Sequence, residues 1–541
     1  MSGGGKVWRA ETVVVVVAAL LALPGNLALW EKLLLAQPPQ DLYGITFLVA
    51  AAVLLASALA LLLLLLPLRW VGRPLLTLLL PMVALTGYFM QEYGVAIDDT
   101  MLWNVFETDA AEAWQLLSLP LLAQVLLGLL PVWWLWRVPL RRLPPWPALR
   151  ARLLAIGASL AVIGVVAALF YPGFASLFRN HRELRFYLLP TNVVNGLRHY
   201  AQDAAVPAGP LQTVGGDAHR GARAVAKAQP TVVVLVIGET ARAGNFALSG
   251  YARDTNPELA RQSGIVYFGA VHSCGTETAV SLPCMLSNLG RSGFSPARAE
   301  ARENLLDVAA RAGVDVVWVE NQSGCKHTCD RVRRVNTQDM GLPQYCQDGE
   351  CHDGILVEAL RRELDQVTRD TLVVLHQMGS HGPAYHLRYP QAFERFTPVC
   401  RTNLLDRCST AQIRNAYDNT ILYTDHVLSG LVDTLRADAR HDSALLYMSD
   451  HGESLGELGL YLHGAPRLLA PETQVHVPML AWLSPRYQQA TGVRTACVAG
   501  RAGRPLTHDN LFHSVLGMLG ITTQAYQASL DLFSPCEQRW R

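Results

Sequence analysis

Five long apolar stretches fill the first third of this 541-residue chain and constrain its fold more than any other feature. Each is long enough to cross a bilayer core of about 30 Å as a helix. Pro24, Gly25 and Asn26 interrupt the first stretch, and a signal peptide is its alternative interpretation, disfavoured because no small-residue cleavage site follows. We therefore predict a transmembrane domain of five helices over residues 1 to 171, with spans at about 12 to 35, 45 to 67, 74 to 93, 116 to 137 and 152 to 171.

Basic residues near the apolar stretches predict the orientation of these helices, because lysine and arginine in short loops resist translocation. They lie before the first span, between the second and third, and between the fourth and fifth. The loop after the third span is acidic instead. An odd number of spans then places everything after residue 172 on the outer side of the membrane.

The cysteines support that location. All ten lie after residue 273, mostly as near neighbours in sequence. An even number of cysteines in an oxidising compartment indicates disulfides. A four-thiolate zinc site of residues 325, 329, 346 and 351 is the alternative, but its spacings fit poorly. The pattern predicts bridges 274–284, 325–329, 346–351 and 400–408, with 497–536 joined by elimination.

The chain after the last span divides into a connecting region and a second domain. Residues 172 to 226 are expected to form interfacial amphipathic helices, or a packed linker, followed by a flexible linker rich in Ala, Gly and Pro. Residues 227 to 541 alternate helical patterns with apolar β-branched runs at 231 to 238, 314 to 320, 371 to 377, 443 to 449 and 475 to 483. Such runs predict an α/β domain whose mostly parallel sheet is covered on both faces.

Polar side chains follow these predicted strands, where ligands bind in α/β sheets. The residues are Glu239 after the first run, Gln322, Ser323 and Lys326 after the second, His376 and His381 around the third, and Asp450 and His451 after the fourth, with His463 beyond. Each alone has an ordinary structural explanation, such as a helix cap or a core histidine. Together, Glu, Asp and His are the ligands that suit zinc.

The segment CGTETAVSLPC, residues 274 to 284, holds three hydroxyls inside one predicted disulfide loop: Thr276, Thr278 and Ser281. A threonine hydroxyl is a poor nucleophile at neutral pH, but zinc binding makes its proton easier to lose. We expect one of these hydroxyls to reach a metal held by Glu239, Asp450 and His451. The residue chemistry leaves open which one.

Five motifs in this order resemble the membrane phosphoethanolamine transferases: VIGETAR (236 to 242), CGTETAVSLPC (274 to 284), ENQSGCKHTCD (320 to 330), HQMGSHGP (376 to 383) and SDHGESLGE (449 to 457). That family modifies lipid A, includes the mobile colistin-resistance enzymes and belongs to the alkaline phosphatase and sulfatase superfamily. The resemblance covers the whole chain. It implies five transmembrane helices followed by an alkaline phosphatase-like, sulfatase-type catalytic domain.

The resemblance also implies roles for individual residues. Thr278 is expected to be the nucleophile, and Glu239, Thr278, Asp450 and His451 are expected to hold one tightly bound zinc ion, with a second metal left open. His381 and His463 would contact the transferred phosphate, a second metal or a proton in flight, with Ser323 and Lys326 beside them. Gln322 stands where some members have asparagine, which weakens only its own assignment to the substrate site.

Asn104, Thr108 and Glu112 are spaced four apart in the loop after the third span, which on one helix places them on one face. A solvated helix face is the alternative interpretation. The resemblance implies instead that these residues line the site for the donor lipid's head group, where a carboxylate can pair with an ammonium.

The implied reaction is a double displacement that takes phosphoethanolamine from phosphatidylethanolamine to lipid A through Thr278, releases diacylglycerol and confers resistance to cationic peptides such as polymyxin. The chain is expected to act as a monomer in the bacterial inner membrane, with its catalytic domain in the periplasm and no nucleic-acid partner. An inner-core sugar or another glycan stays open as acceptor. The alternatives are a sulfatase- or phosphatase-type hydrolase, although SLPCML lacks the arginine of a sulfatase motif, a glycerol-phosphate polymerase, and a non-catalytic membrane sensor.

Overall fold

The computed structural model describes residues 7–108, 110–204, 210–221, 224, 229–347 and 349–536. The chain divides into two compact units. The first comprises Met1–Leu102 and Leu117–His199, and the second comprises Trp103–Leu116 and Tyr200–Arg541.

Helices dominate the chain before residue 205. Those described are α1 (Ala10–Ala22), α2 (Leu27–Ala36), α3 (Leu42–Leu64), α4 (Arg73–Glu92), α5 (Asp99–Glu107), α6 (Ala110–Leu116), α7 (Leu119–Arg137), α8 (Pro145–Leu169), α9 (Tyr171–Asn180) and α10 (Thr191–Ala204). Five segments are long and apolar enough to cross a membrane, namely Ala10–Ala36, Leu42–Leu64, Leu68–Glu92, Leu119–Arg137 and Pro145–Leu169. This number confirms the sequence prediction. The last helix begins earlier than predicted, because Pro145 occupies its first position, where proline is tolerated.

The interruption of the first apolar stretch is a packed feature. α1 ends at Ala22, a short turn covers Pro24–Asn26, and α2 begins at Leu27. The Asn26 side chain is buried. Its Nδ2 donates to the carbonyls of Leu21 (2.7 Å) and Leu189 (2.9 Å), and its Oδ1 accepts from the Leu189 amide (2.8 Å). Because backbone polar groups within a bilayer need protein partners, these bonds compensate for the helical bonds lost at the turn.

The second unit is built around a seven-stranded sheet. The strands of the described chain are β1 (His219–Arg220), β2 (Thr231–Gly238), β3 (Val266–Phe268), β4 (Val271–His272), β5 (Asp315–Glu320), β6 (Arg333–Asn336), β7 (Cys346–Gln347), β8 (Glu350–Cys351), β9 (Thr371–His376), β10 (Asp442–Ser449), β11 (Ser454–Leu455), β12 (Tyr461–Leu462), β13 (Met479–Leu483), β14 (Leu506–Thr507) and β15 (Ile521–Thr522). The order in the large sheet is β3-β13-β10-β2-β9-β5-β6. The β10, β2, β9, β5 and β6 strands pair in parallel, and β13 pairs antiparallel with β10 and β3. The predicted mostly parallel sheet is confirmed.

Helices cover both faces of this sheet. They are α11 (Thr278–Met285), α12 (Gly290–Gly293), α13 (Pro296–Glu300), α14 (Leu305–Arg311), α15 (Ile355–Leu364), α16 (Thr410–Ala437), α17 (Glu472–Val475), α18 (Pro485–Thr491), α19 (Thr495–Ala499) and α20 (Asp509–Met518). Alternate residues of β2 enter two separate apolar clusters. Val233 and Leu235 pack in the cluster that contains α14 and α20, whereas Val232 and Val234 pack in the one that contains α15 and α16. Burial on both sides explains the continuous apolar runs.

Three details bear on the sequence predictions. All five predicted disulfides are present, so the four-thiolate zinc alternative is wrong. The final strand begins at Met479 rather than 475, because 472–475 form α17 and Pro478 lacks the amide that a strand needs. Residues 210–221, expected to be flexible, pack on the second unit, where β1 pairs with β15 and Val214 is buried. Residues 205–209, 222, 223, 225 and 226 of the expected connecting region, and residues 227 and 228 of the expected second domain, lie outside the described residues.

Candidate active site

Three residues meet at the ends of two neighbouring parallel strands. Gly238 of β2 lies opposite Ser449 of β10, so the residues that follow emerge side by side. These residues are Glu239, Asp450 and His451, and all three are fully buried. One ligand atom from each lies within 4.8 Å of the others. The sequence prediction that strand ends would bring these residues together agrees with this geometry.

The His451 ring is oriented for binding a cation. Its Nδ1 lies 2.8 Å from the Gly452 carbonyl, which can only accept, so we assign the proton to Nδ1. The lone pair then lies on Nε2, which is 3.4 Å from both Glu239 Oε1 and Asp450 Oδ2. Burial, reinforced by neighbouring His463, lowers the pKa of His451 to about 3 and keeps the ring neutral. A metal-binding histidine needs this tautomer and this charge state.

Asp450 presents one satisfied oxygen and one unsatisfied oxygen. Oδ1 accepts hydrogen bonds from the amides of Thr240 (3.1 Å) and His451 (2.6 Å). Oδ2 is buried without a hydrogen-bond partner among the described residues. Burial raises the pKa of the Asp450 carboxyl, and a cation would oppose that shift. The unsatisfied oxygen and the donor set of two carboxylates, an imidazole and a hydroxyl fit a zinc ion.

Thr278 supplies the hydroxyl. It is the first residue of α11, and its Oγ1 lies 3.1 Å from Glu239 Oε2 and 3.3 Å from His451 Nε2. The other two hydroxyls of the loop are engaged elsewhere. Thr276 Oγ1 donates to the Ala465 carbonyl (2.8 Å), and Ser281 Oγ accepts from the Gly275 amide (3.0 Å). Of the three hydroxyls that the sequence left open, Thr278 is the one at the cluster.

Two more histidines lie beside the cluster. The ring centroids of His463 and His451 are 4.5 Å apart, and those of His463 and His381 are 5.7 Å apart. Glu453, fully buried, places Oε2 3.4 Å from His463 Nδ1. Burial raises the pKa of the Glu453 carboxyl, and His463 opposes that shift. The structure thus groups three imidazoles around one edge of the site.

The residues after β5 approach the cluster to different degrees. Gln322 Nε2 donates to Glu239 Oε2 (3.2 Å). Ser323 contacts the site through Gln322, because its Oγ donates to Gln322 Oε1 (2.8 Å). Lys326 lies in the loop closed by the Cys325–Cys329 disulfide and lines a cavity of about 290 Å³ together with Arg331.

The single helix expected for Asn104, Thr108 and Glu112 is wrong. Asn104 lies on α5, which ends at Glu107, and Glu112 belongs to the separate helix α6. Thr108 Oγ1 donates to the Asn104 carbonyl (2.8 Å), a side-chain bond that competes with helix continuation. The side chain of Glu112 lies outside the described residues.

Sequence reasoning missed two residues that hold the cluster. Thr240 has a left-handed backbone (φ +58°), unusual for a β-branched residue. Its Oγ1 donates to Glu239 Oε1 (2.5 Å), while its amide donates to Asp450. Gly379 also has a positive φ (+55°), and a Cβ there would lie 2.5 Å from the Glu239 carbonyl oxygen. Both residues lie in motifs quoted above. Nothing in the sequence indicates a positive φ at Thr240, and at position 379 the only indication is that the residue is a glycine.

His376 is the last residue of β9 and has a different environment from the residues that follow the other strands. It is fully buried, and its Nδ1 lies 3.0 Å from Glu320 Oε1. The Glu320 carboxylate raises the pKa of His376 against the opposing effect of burial. Trp318 packs edge-on against the ring. We interpret this pair as support for the sheet beneath the cluster.

Comparisons with known proteins find relatives that match nearly the whole chain. A family model described as phosphoethanolamine transferase EptA/EptB matches residues 55–205, and the sulfatase family model matches residues 231–521. Phosphoethanolamine transferase EptA of Salmonella typhimurium is 39% identical over 523 residues, which cover 95% of this chain and 94% of the relative. Phosphatidylethanolamine transferase Mcr-1 of Escherichia coli is 36% identical over 535 residues, covering 96% and 97%. The solved structure of the integral membrane lipooligosaccharide phosphoethanolamine transferase A from Neisseria meningitidis superposes with a TM-score of 0.94 at 34% identity, covering 98% of this chain and all of that one.

Proposed function

Because the chain belongs to the phosphoethanolamine transferase family of membrane proteins with a sulfatase-type domain, we propose that it moves phosphoethanolamine from phosphatidylethanolamine to lipid A through an ester on Thr278. The observation that carries this proposal is the position of the Thr278 hydroxyl, 3.1 Å from Glu239 and 3.3 Å from His451 at the head of α11. Residues 227 to 541 would form the catalytic domain.

In the first half-reaction, Thr278 Oγ1 forms a bond to the donor's phosphorus, and the bond between phosphorus and the glycerol oxygen breaks. The hydroxyl proton is directed at Glu239 Oε2, the nearest of its three contacts. Diacylglycerol leaves and takes up a proton. In the second half-reaction a phosphate oxygen of lipid A attacks the same phosphorus, the bond between phosphorus and Thr278 Oγ1 breaks, and Oγ1 takes back the proton held by Glu239.

Glu239, Thr278, Asp450 and His451 would hold the zinc ion. When bound, zinc supplies positive charge that makes the hydroxyl proton easier to lose and stabilises negative charge on the phosphoryl oxygens. Asp450 Oδ2 and His451 Nε2 lie 3.4 Å apart, and one ligand atom each of Glu239, Asp450 and His451 lies within 4.8 Å of the others, which supports binding of one cation. One tightly bound ion satisfies these four ligands.

His381 and His463 are proposed to contact the transferred phosphate and to deliver the proton that diacylglycerol takes up. Their rings adjoin His451, within reach of the same substrate. Glu453 contacts His463 Nδ1 and orients that ring for proton transfer. Gln322, Ser323 and Lys326 would complete the phosphate side of the site.

On the donor side, Asn104, Thr108 and Glu112 are proposed to bind the ethanolamine head group. The protein would act as a monomer in the bacterial inner membrane, with this side in the periplasm. Each phosphoethanolamine adds an ammonium group to lipid A, so the lipid surface becomes less negative and attracts cationic peptides such as polymyxin less strongly.

The test is an adduct experiment on full-length, zinc-loaded protein in vesicles that contain phosphatidylethanolamine but no acceptor. We expect intact-mass and peptide analysis to find phosphoethanolamine on Thr278 and one diacylglycerol released per adduct. Adding lipid A should discharge the adduct and modify the lipid. Thr278→Ala should abolish both steps, because no other hydroxyl of the loop contacts Glu239 or His451 in the described structure.

Thr276→Ala and Ser281→Ala are the matched controls, since both hydroxyls lie in the same disulfide loop but point away from the cluster. Each should retain the adduct. If the wild type carried the adduct on either of these hydroxyls, that residue and not Thr278 would be the nucleophile. Release of phosphoethanolamine to water, with lipid A left unmodified, would favour the hydrolase alternative.

A further inference from the structure

Arg388 is a buried arginine close to the active site whose guanidinium contacts three separate segments. Only 4% of the residue is exposed. Its Nε donates to the His381 carbonyl (2.8 Å), its Nη1 to Glu350 Oε2 (2.6 Å) and its Nη2 to Gln115 Oε1 (2.5 Å). A planar guanidinium can serve three partners in fixed directions, which a lysine ammonium cannot reproduce.

Gln115 is the partner that lies farthest away in sequence, on α6. Its Nε2 donates to Glu350, so glutamine, arginine and glutamate form a closed set of hydrogen bonds. Asn403 Nδ2 donates to the Gln115 carbonyl (2.6 Å). All of these residues belong to the second compact unit. Gln115 therefore links α6 to three separate segments of the second unit.

Arg388 consequently connects the two parts of the proposed site. On one side it fixes the main chain of His381, whose ring lies 5.7 Å from that of His463. On the other it contacts α6, which carries Glu112, one of the residues proposed to bind the donor head group. Burying a guanidinium is costly unless its donors are paired, so the contact with Gln115 on α6 helps to hold Arg388 in place.

We propose that Arg388 is a positioning residue that holds α6 and the His381 loop in one arrangement, so that a donor lipid bound on α5 and α6 presents its phosphorus to Thr278. This inference rests on the proposed function. It predicts that loss of the Arg388–Gln115 link harms the reaction of the membrane lipid more than the reaction of a donor that needs no head-group site.

The experiment compares two donors with full-length, zinc-loaded protein. One is phosphatidylethanolamine in vesicles, and the other is soluble methyl p-nitrophenyl phosphate, a phosphodiester without an ethanolamine group, whose release of p-nitrophenol reports on Thr278 chemistry directly. Gln115→Ala should lower kcat/KM for the lipid about tenfold, chiefly through KM, because the side chain's hydrogen bonds to two charged groups, Arg388 and Glu350, are lost. Turnover of the soluble ester should stay within about twofold, since Arg388 keeps its bonds to His381 and Glu350.

Arg388→Lys retains the charge but not the three-way geometry, so it should reduce lipid turnover at least as much as Gln115→Ala. If both act through one link, the double variant should be no worse than Arg388→Lys alone. Arg401→Lys is the matched control, because Arg401 pairs with Glu394 at an exposed position and should behave as wild type.

Three outcomes would overturn the inference: additive losses in the double variant, equal losses with both donors, or unchanged lipid turnover in Gln115→Ala. Equal losses together with a lower unfolding temperature would mean that Arg388 only stabilises the fold. If the wild type failed to modify any acceptor from the lipid, the proposed function itself would fail. This failure of the proposed function can be distinguished from failure of the Arg388 inference, because it is observed in the wild type without any substitution.

Discussion

The strand-end cluster and the α5–α6 segment are both proposed to bind the donor, but the protein holds them by different means. Glu239, Asp450 and His451 are fully buried at the ends of paired parallel strands, and main-chain amides hold Asp450. Asn104, on the short helix α5, and Thr108, just after it, are only partly buried. The α6 helix is held by side-chain hydrogen bonds at Gln115.

Because the two regions are held differently, we expect them to control different properties of the reaction. Strand pairing places the cluster residues side by side in a buried setting, and phosphoryl chemistry requires such a rigid arrangement. The helical segment is secured by a few polar contacts, which suits a surface that admits and releases a lipid. Substitutions in the cluster should therefore change the chemical step, whereas those in the segment should change donor binding.

The largest effect is expected for Asp450→Asn. A neutral amide cannot replace a carboxylate whose free oxygen faces the site, so zinc should be lost and transfer should fall by about 10³-fold or more. Inductively coupled plasma mass spectrometry and adduct formation on Thr278 provide the measurements. Asp433→Asn, an exposed carboxylate on α16, is the control and should bind zinc normally. Full zinc content and full turnover in Asp450→Asn would refute the ligand assignment.

An intermediate effect is expected at Thr240, which supports two proposed ligands without reaching the site itself. Thr240→Ala removes the hydroxyl bonded to Glu239 and should weaken zinc affinity about 10- to 100-fold, the usual cost of losing a residue that orients a ligand. Thr240→Ser keeps the hydroxyl and should bind zinc nearly as well as wild type. Competition with a zinc chelator measures both affinities.

Thr240→Gly separates the hydroxyl from the backbone, because glycine adopts φ +58° without strain. It should show the zinc affinity of the alanine variant without a loss of thermal stability. If Thr240→Gly instead bound zinc as tightly as wild type, the hydroxyl bond to Glu239 would have no role in holding the metal.

The same two regions show how far the sequence could predict the site. Glu239, Asp450 and His451 were predicted because apolar runs reveal strands, and strand ends in a parallel sheet converge. The choice of Thr278 over its neighbours came from the family resemblance, since loop chemistry alone did not distinguish three hydroxyls. The break between α5 and α6 was missed, because a spacing of four looks the same on one helix or on two.

Long-range polar contacts could not be predicted from the sequence either. Gln115 and Arg388 lie 273 residues apart, and neither stands in a pattern that signals the other. The left-handed backbone of Thr240 likewise follows from tertiary packing, where Tyr417 donates to the Thr240 carbonyl (2.8 Å). Local periodicity predicts elements and their ends, but it carries no information about which distant side chains complete each other's hydrogen bonds.

The smallest effect is expected for Thr108→Val, which keeps the side-chain shape but removes the hydroxyl bonded to the Asn104 carbonyl. Loss of one neutral hydrogen bond should raise KM for phosphatidylethanolamine about two- to tenfold. Zinc content and turnover of the soluble ester should not change, because Thr108 has no contact with the cluster in the described structure. Thr108→Ser keeps the hydroxyl and should restore the wild-type KM. A fall in zinc content in Thr108→Val would mean that α5 and the cluster are coupled and that the separation between donor binding and chemistry does not hold.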